Sequence, residues 1–238
     1  QKGFVKGEEC STSSVPDILV WGDSYAMHLV PGILSSNKSV KLQQATVSQC
    51  APIIGYAVST AIHGAQNCIA FNNEVFEYLS DSSIKYVVLG SPFARLYDNR
   101  SVVDSDGKLY SNGAEITFTG LVTLVDKIRA MGKVPVVFTP PPADGSDLGN
   151  CLLRHELRGQ ALDGCNFSRD KIRPAKSYIT NQLKTIANAN VVDLTDIICV
   201  DSTCRASLNG AYLYRDTGHL SIEGSRVIGE TYDFFNLI

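Results

Sequence analysis

The order in which short apolar runs and helical patterns follow one another narrows the fold more than any other feature. Residues 17–22 (Asp-Ile-Leu-Val-Trp-Gly) are too short a run for a helix and apolar enough for a strand buried on both faces. A helical pattern follows at once over 24–34. Residues 40–47 read as a second strand, 72–79 as a helix and 85–90 as a third strand. Residues 117–131 carry apolar side chains at helical spacing (Leu121, Leu124, Val125, Ile128) and stop at Gly132. A fourth strand is expected over 133–139, a helix over 173–187, a fifth short strand over 191–194, and a last helix over 221–235 with Ser221 as its N-cap. Pro135 lacks the N–H that a central ladder uses, so it argues for an early or edge position. This alternation predicts an α/β domain with a mainly parallel, doubly wound sheet of about five strands between two helical layers. Residues 17–238 form that one domain, and residues 1–16 an N-terminal linker or extension.

Two stretches interrupt the pattern. Residues 98–113 are polar and turn-rich and read as a surface excursion. Residues 139–173 read as a long loop that opens with Pro140, Pro141 and Pro142 and contains Cys151 and Cys165; long loops in compact domains tend to carry function.

Composition removes several function classes. The chain has 21 basic and 24 acidic residues, a formal charge of −3, and no lysine or arginine block, which argues against a nucleic-acid partner. No apolar run approaches the roughly 18 residues of a membrane span. The start at Gln1 reads as the cut end of something longer. Seven cysteines are many for a cytosolic enzyme, and no CxxC or cysteine–histidine zinc spacing occurs. Disulfides in an oxidising compartment are the expectation, with Cys50 and Cys68, Cys151 and Cys165, and Cys199 and Cys204 as near neighbours and Cys10 left over. The pairing stays open, since six cysteines allow 15 connectivities.

Two short motifs can do chemistry together. Gly22-Asp23-Ser24 ends the first strand, where open α/β sheets place their ligands, and Ser24 then opens a helix beside unpaired N–H groups. By itself this is also an ordinary N-cap. Asp216-Thr-Gly-His219 stands directly before the last helix, and an Asp three residues ahead of a His can hold Nδ1 while Nε2 faces a serine. Ser24, Asp216 and His219 are therefore the expected catalytic triad, in the order nucleophile, carboxylate, base.

These blocks resemble the SGNH hydrolase superfamily, whose first block is GDS and whose last is DxxH. The likeness is closer to the SGNH domains fused behind the membrane part of acyltransferase 3 proteins, through ILVWGDS, Cys50-Ala-Pro52 with a partner at Cys68, Cys199 and Cys204, and LYRDTGHLS. The resemblance implies an SGNH/flavodoxin-like αβα fold and an O-acetyltransferase acting on a cell-surface, O-antigen-like polysaccharide. It also implies a periplasmic location, an N-terminal acyltransferase 3 membrane domain as partner, and an acyl donor derived from acetyl-CoA through that domain. No bound cofactor or metal is expected. The alternatives are a secreted carbohydrate O-acetylesterase and a non-catalytic glycan-binding module.

Where many members have His after the nucleophile, this chain has Tyr25. His28, one turn on, reads as an ordinary helix residue. The oxyanion-hole Asn of the third block is missing from Gly90-Ser-Pro-Phe-Ala-Arg95. The expected donors are the Ser24 N–H, a backbone N–H among Ser48 to Cys50, and less directly the Ser91 hydroxyl or Arg95. Tyr97, Tyr110, Tyr212 and Tyr214 are candidate sugar platforms.

Overall fold

The computed structural model describes residues 8–59 and 64–238. The five expected strands are present: β1 (Ile18–Gly22), β2 (Leu42–Thr46), β3 (Tyr86–Gly90), β4 (Val134–Phe138) and β5 (Asn190–Val192). All pair in parallel, in the order β2-β1-β3-β4-β5. Strand order reverses beside β1, so the carboxyl ends of β1 and β3 form the crevice in which doubly wound sheets bind ligands.

Alternation along β1 splits the core in two. Ile18 and Val20 face one apolar cluster and Leu19 and Trp21 the other, all within 1% of full burial. The first face is covered by α1 (Ser24–Met27), α2 (Val30–Ser36), α5 (Leu148–Leu157), α7 (Leu194–Ile198) and α8 (Ile222–Tyr232); the second by α3 (Ala65–Ser80), α4 (Gly113–Ala130) and α6 (Pro174–Lys184). Among the described residues no helix is long and apolar enough to cross a membrane.

Several expectations change. The helix expected over 24–34 is two helices, because Pro31 near the start of α2 has no N–H and its ring clashes with a continuing turn. Pro135 does not sit on an edge strand: β4 lies between β3 and β5. It is tolerated because pairing with β5 begins only at Val136, which makes it an early position. Residues 98–113 are not a plain surface excursion. Val102–Asp104 and Leu109–Tyr110 form a hairpin that pairs with Tyr56–Val58, a strand the sequence reading missed. Residues 139–173 are not one loop either, since they contain α5.

The six cysteines pair as sequence neighbours: Cys50–Cys68, Cys151–Cys165 and Cys199–Cys204, while Cys10 is free and exposed. Cys151–Cys165 fastens α5 to the short 3-10 turn Leu162–Cys165. Cys50–Cys68 ties the corner after β2 to α3. The same corner is held by Asn72 of α3, whose amide donates to the carbonyls of Ala51 (2.8 Å) and Ile53 (3.0 Å) and accepts the indole N–H of Trp21 at 2.8 Å. Closing an 18-residue separation stabilises by about 3 kcal/mol in the chain-entropy picture. Replacing Cys50 and Cys68 together by Ala is therefore expected to lower unfolding free energy by about 3 kcal/mol in urea titration. The fluorescence of Trp21, the single tryptophan, reports the transition.

Candidate active site

The nucleophile elbow is built by Asp23 rather than by Ser24. Asp23 is the N-cap of α1: its carboxylate accepts the Tyr25 N–H at 2.8 Å and the Ser91 hydroxyl at 2.7 Å. That leaves the Ser24 hydroxyl free of capping duty. It lies 2.8 Å from Nε2 of His219, and Nδ1 of His219 lies 2.9 and 3.1 Å from the two oxygens of Asp216. Three side chains from opposite ends of the chain meet at the crevice beside β1.

The turn that carries His219 is fixed from several sides. Asp216 Oδ1 accepts the N–H groups of Gly218 and His219, each at 2.8 Å. The Arg215 N–H reaches the His219 carbonyl at 3.1 Å, and Tyr214 bridges to Leu220 at the turn's base. Tyr214 is fully buried and its hydroxyl donates to the Pro142 carbonyl at 2.7 Å, so it anchors the turn and is no sugar platform. Gly218 allows the close approach of Tyr25: a Cβ there would lie 2.5 Å from the Tyr25 hydroxyl. The Tyr25 ring packs 4.5 Å from the His219 ring, and the Lys176 ammonium lies 4.9 Å over its centroid. His28 does more than fill a helix position. Its buried Nδ1 accepts the Leu220 N–H at 3.2 Å and so joins the nucleophile's helix to the base's turn. Burial holds its imidazole neutral, well below the ordinary histidine pKa, as an acceptor at Nδ1 requires.

Charges around the triad favour a working base. Burial lowers the His219 pKa, and Arg215 and Lys176 push the same way, while Asp216 opposes them. Burial alone would raise the Asp216 pKa; the Gly218 and His219 N–H groups and the imidazole outweigh it, and the carboxyl titrates below its usual value. Asp23 is driven up to about 6 by burial, against the hydrogen bonds from Tyr25 and Ser91 and the charge of Lys176. Lys176 itself is lowered to about 8, chiefly by burial. His219 therefore keeps its neutral, basic form to lower pH than an ordinary histidine, and activity is expected to fall on acidification below the usual histidine range. Lys176→Met removes a cation that depresses both His219 and Asp23, so the acid limb of kcat/KM should move to higher pH. Arylester hydrolysis across pH 4.5–8 checks the direction, and an unmoved or lowered limb would contradict it.

The expected oxyanion donors divide. The Ser24 N–H opens α1, so no intrahelical carbonyl faces it. With four residues α1 has little macrodipole, and the N–H itself is what the position offers. Ser48 lines the cavity beside Ser24, as does Gln49, whose φ of 59° turns the chain sharply there. Cys50 is excluded as a donor: its N–H goes to the Val47 carbonyl at 3.1 Å and its sulfur to Cys68. Ser91 is excluded as well, because its hydrogen is given to the buried Asp23 carboxylate. Arg95 lines the cavity, with one Nη on Asp98.

Comparisons with known proteins give the family and the fold. The profile of the family described as "SGNH domain (fused to AT3 domains)" matches residues 1–234. The chain belongs to the SGNH family. Among solved structures, this SGNH domain is similar to the periplasmic domain of a lipopolysaccharide acetyltransferase from Salmonella ser. Paratyphi A. The TM-score is 0.67 at 16% identity, covering 96% of this chain and 86% of that one. Weaker likenesses are a protein from Bacteroides fragilis described as a candidate acylhydrolase (TM-score 0.46, 14% identity, 94% and 91% covered) and the OSK domain of Drosophila Oskar (0.37, 14%, 91% and 86%). A comparison with curated proteins finds no sequence match. The five-stranded αβα sheet is thus the SGNH fold, with the GDS and DTGH blocks of this domain meeting at the carboxyl end of β1.

Proposed function

We propose that this SGNH domain transfers an acetyl group to a hydroxyl of a cell-surface polysaccharide through an acyl-enzyme on Ser24. The supporting observation is the Ser24–His219–Asp216 relay, with 2.8 Å from hydroxyl to Nε2 and 2.9 Å from Nδ1 to carboxylate. His219 accepts the Ser24 proton as the oxygen attacks the acyl carbonyl, and Asp216 stabilises the imidazolium that forms. The negative oxygen of the tetrahedral species is met by the Ser24 N–H and by N–H groups at the Ser48–Gln49 corner. Collapse expels the leaving group, which takes the proton from His219. A sugar hydroxyl then loses its proton to His219, attacks the acyl carbonyl and releases Ser24.

The acyl group would come from acetyl-CoA by way of the acyltransferase 3 membrane domain, the fusion partner in this family. The setting is periplasmic, in keeping with three disulfides. The Asp216 side chain is 42% exposed, so water can reach the relay, and water in place of the sugar makes the same triad a carbohydrate O-acetylesterase. The test is transfer of a labelled acetyl group to purified surface polysaccharide with the membrane region present. Label in the glycan that is lost in Ser24→Ala supports the transferase; label released only as acetate supports the esterase; label that persists in Ser24→Ala ends the proposal.

A further inference from the structure

We infer that the cavity beside Ser24 takes a substrate bearing a carboxylate or phosphate, held by Arg95 and Arg100; this rests on the acyl-transfer reading of the same site. The cavity has a volume of about 630 Å³, and its lining includes both Ser24 and His219. That is far more room than an acetyl group fills, and it falls in the roughly 300–1,000 Å³ range of sites for whole small molecules. Much of the wall is apolar, from Ile53, Ala57, Val58, Val102 and Phe93.

The charged members of the described lining are two arginines and one carboxyl group. That carboxyl, Asp23, is already occupied by the Tyr25 N–H and the Ser91 hydroxyl. The two guanidiniums share a single counter-ion. Asp98 Oδ1 accepts from Arg95 Nη1, while Oδ2 accepts from Arg100 Nε at 3.0 Å and Nη2 at 2.6 Å. One carboxylate cannot fill both guanidinium forks, so N–H donors remain on both arginines for a further anion. Arg95 is the costlier of the two to hold, with a side chain only 16% exposed and a buried Nε that has no acceptor among the described residues. A guanidinium kept from water is stabilised by a planar anion that matches its fork of N–H donors. Phe93, a buried lining residue two positions before Arg95, sits at φ 45°, and such left-handed non-glycine residues gather at ligand clamps. Arg100, 69% exposed, stands at the rim, where it can meet an entering anion.

Calorimetric titration of the 238-residue chain with trigalacturonate, its carboxyl-reduced counterpart and inorganic pyrophosphate tests the inference. At least one anion is expected to bind tenfold or more tightly than the reduced sugar. Arg95→Gln and Arg100→Gln should each weaken that binding fivefold or more. Preference for trigalacturonate places the anion on an acidic sugar acceptor; preference for pyrophosphate places it on the donor. No detectable anion binding, equal affinity for all three probes, or anion binding that survives the double variant overturns the inference. Should Arg95→Gln fail to fold, the rim variant Arg100→Gln still decides. Titration needs no turnover. A Ser24-dependent enzyme without anion binding would leave the catalytic reading standing, and anion binding without Ser24-dependent transfer would leave only the anion site.

Discussion

Replacing Ser24 by Ala is expected to abolish hydrolysis of a neutral arylester to within the residual that oxyanion donors alone provide. Replacing Asp216 by Asn should cost about 10³- to 10⁴-fold in kcat. The second variant is the more informative. Asp216 has two functions that separate by atom: Oδ1 accepts the Gly218 and His219 N–H groups and shapes the turn, while Oδ2 makes the shorter contact with Nδ1. An Asn can keep the first with its carbonyl oxygen and place its NH₂ against Nδ1. The imidazole then carries its proton on Nε2, where it faces Ser24 as a donor and cannot act as base. A folded Asp216→Asn protein with kcat reduced and thermal midpoint near wild type is the expected result. Near-wild-type turnover would remove Asp216 from the mechanism, and a double variant no slower than Ser24→Ala alone would identify the pair as one unit.

The largest structural effect is expected from Gly22→Ala. Gly22 has φ of 150°, and a Cβ built on it would lie 1.9 Å from the Gly90 carbonyl oxygen on the neighbouring strand. It would also stand 3.0 Å from the Ala26 side chain. Neither obstacle can yield easily, because the oxygen belongs to the backbone of a central strand and accepts the Asp23 N–H at 3.3 Å. Separating β1 from β3 would open the sheet at the crevice that holds Ser24. A loss of at least about 4 kcal/mol is expected, in the range reserved for overpacking and backbone strain. Urea unfolding followed by Trp21 fluorescence measures it; a loss under 1 kcal/mol would show that the strands can part there without cost. The glycine of the GDS block therefore works by sterics, allowing two strand ends to touch two residues before the proposed nucleophile.

Much of this architecture was legible in the residues because it is local. Apolar runs of strand length and helical periodicity depend on neighbours within a few positions, and they placed all five strands of the sheet. Asp216 and His219 were legible for the same reason, as a turn of four residues contains both partners of their hydrogen bond. The errors about the site have one cause, which is partner choice across long separations. Ser91 looks available as a donor until the fold places the Asp23 carboxylate, 68 residues earlier, against it. His28 looks like a helix residue until Leu220, 192 positions away, donates to it. Asn72 gave one usable signal: a lone buried tryptophan needs an acceptor for its N–H, although nothing local says which residue supplies it. The hairpin of residues 102–110 was missed because its polar, turn-rich composition reads as loop; its strands exist through pairing with Tyr56–Val58.

The chain by itself determined the class of sheet, the GDS block, the turn that pairs Asp216 with His219, and a surplus of cysteines that fall into adjacent pairs. The tertiary structure decided which hydroxyls and N–H groups remain free to react, which strands wall the cavity, and that two arginines share one counter-ion there. Periodicity and short turns are written in neighbouring residues. A free donor and an enclosed volume are properties of groups brought together from distant segments, and the 195 residues separating Ser24 from His219 are bridged only when the sheet closes them to 2.8 Å.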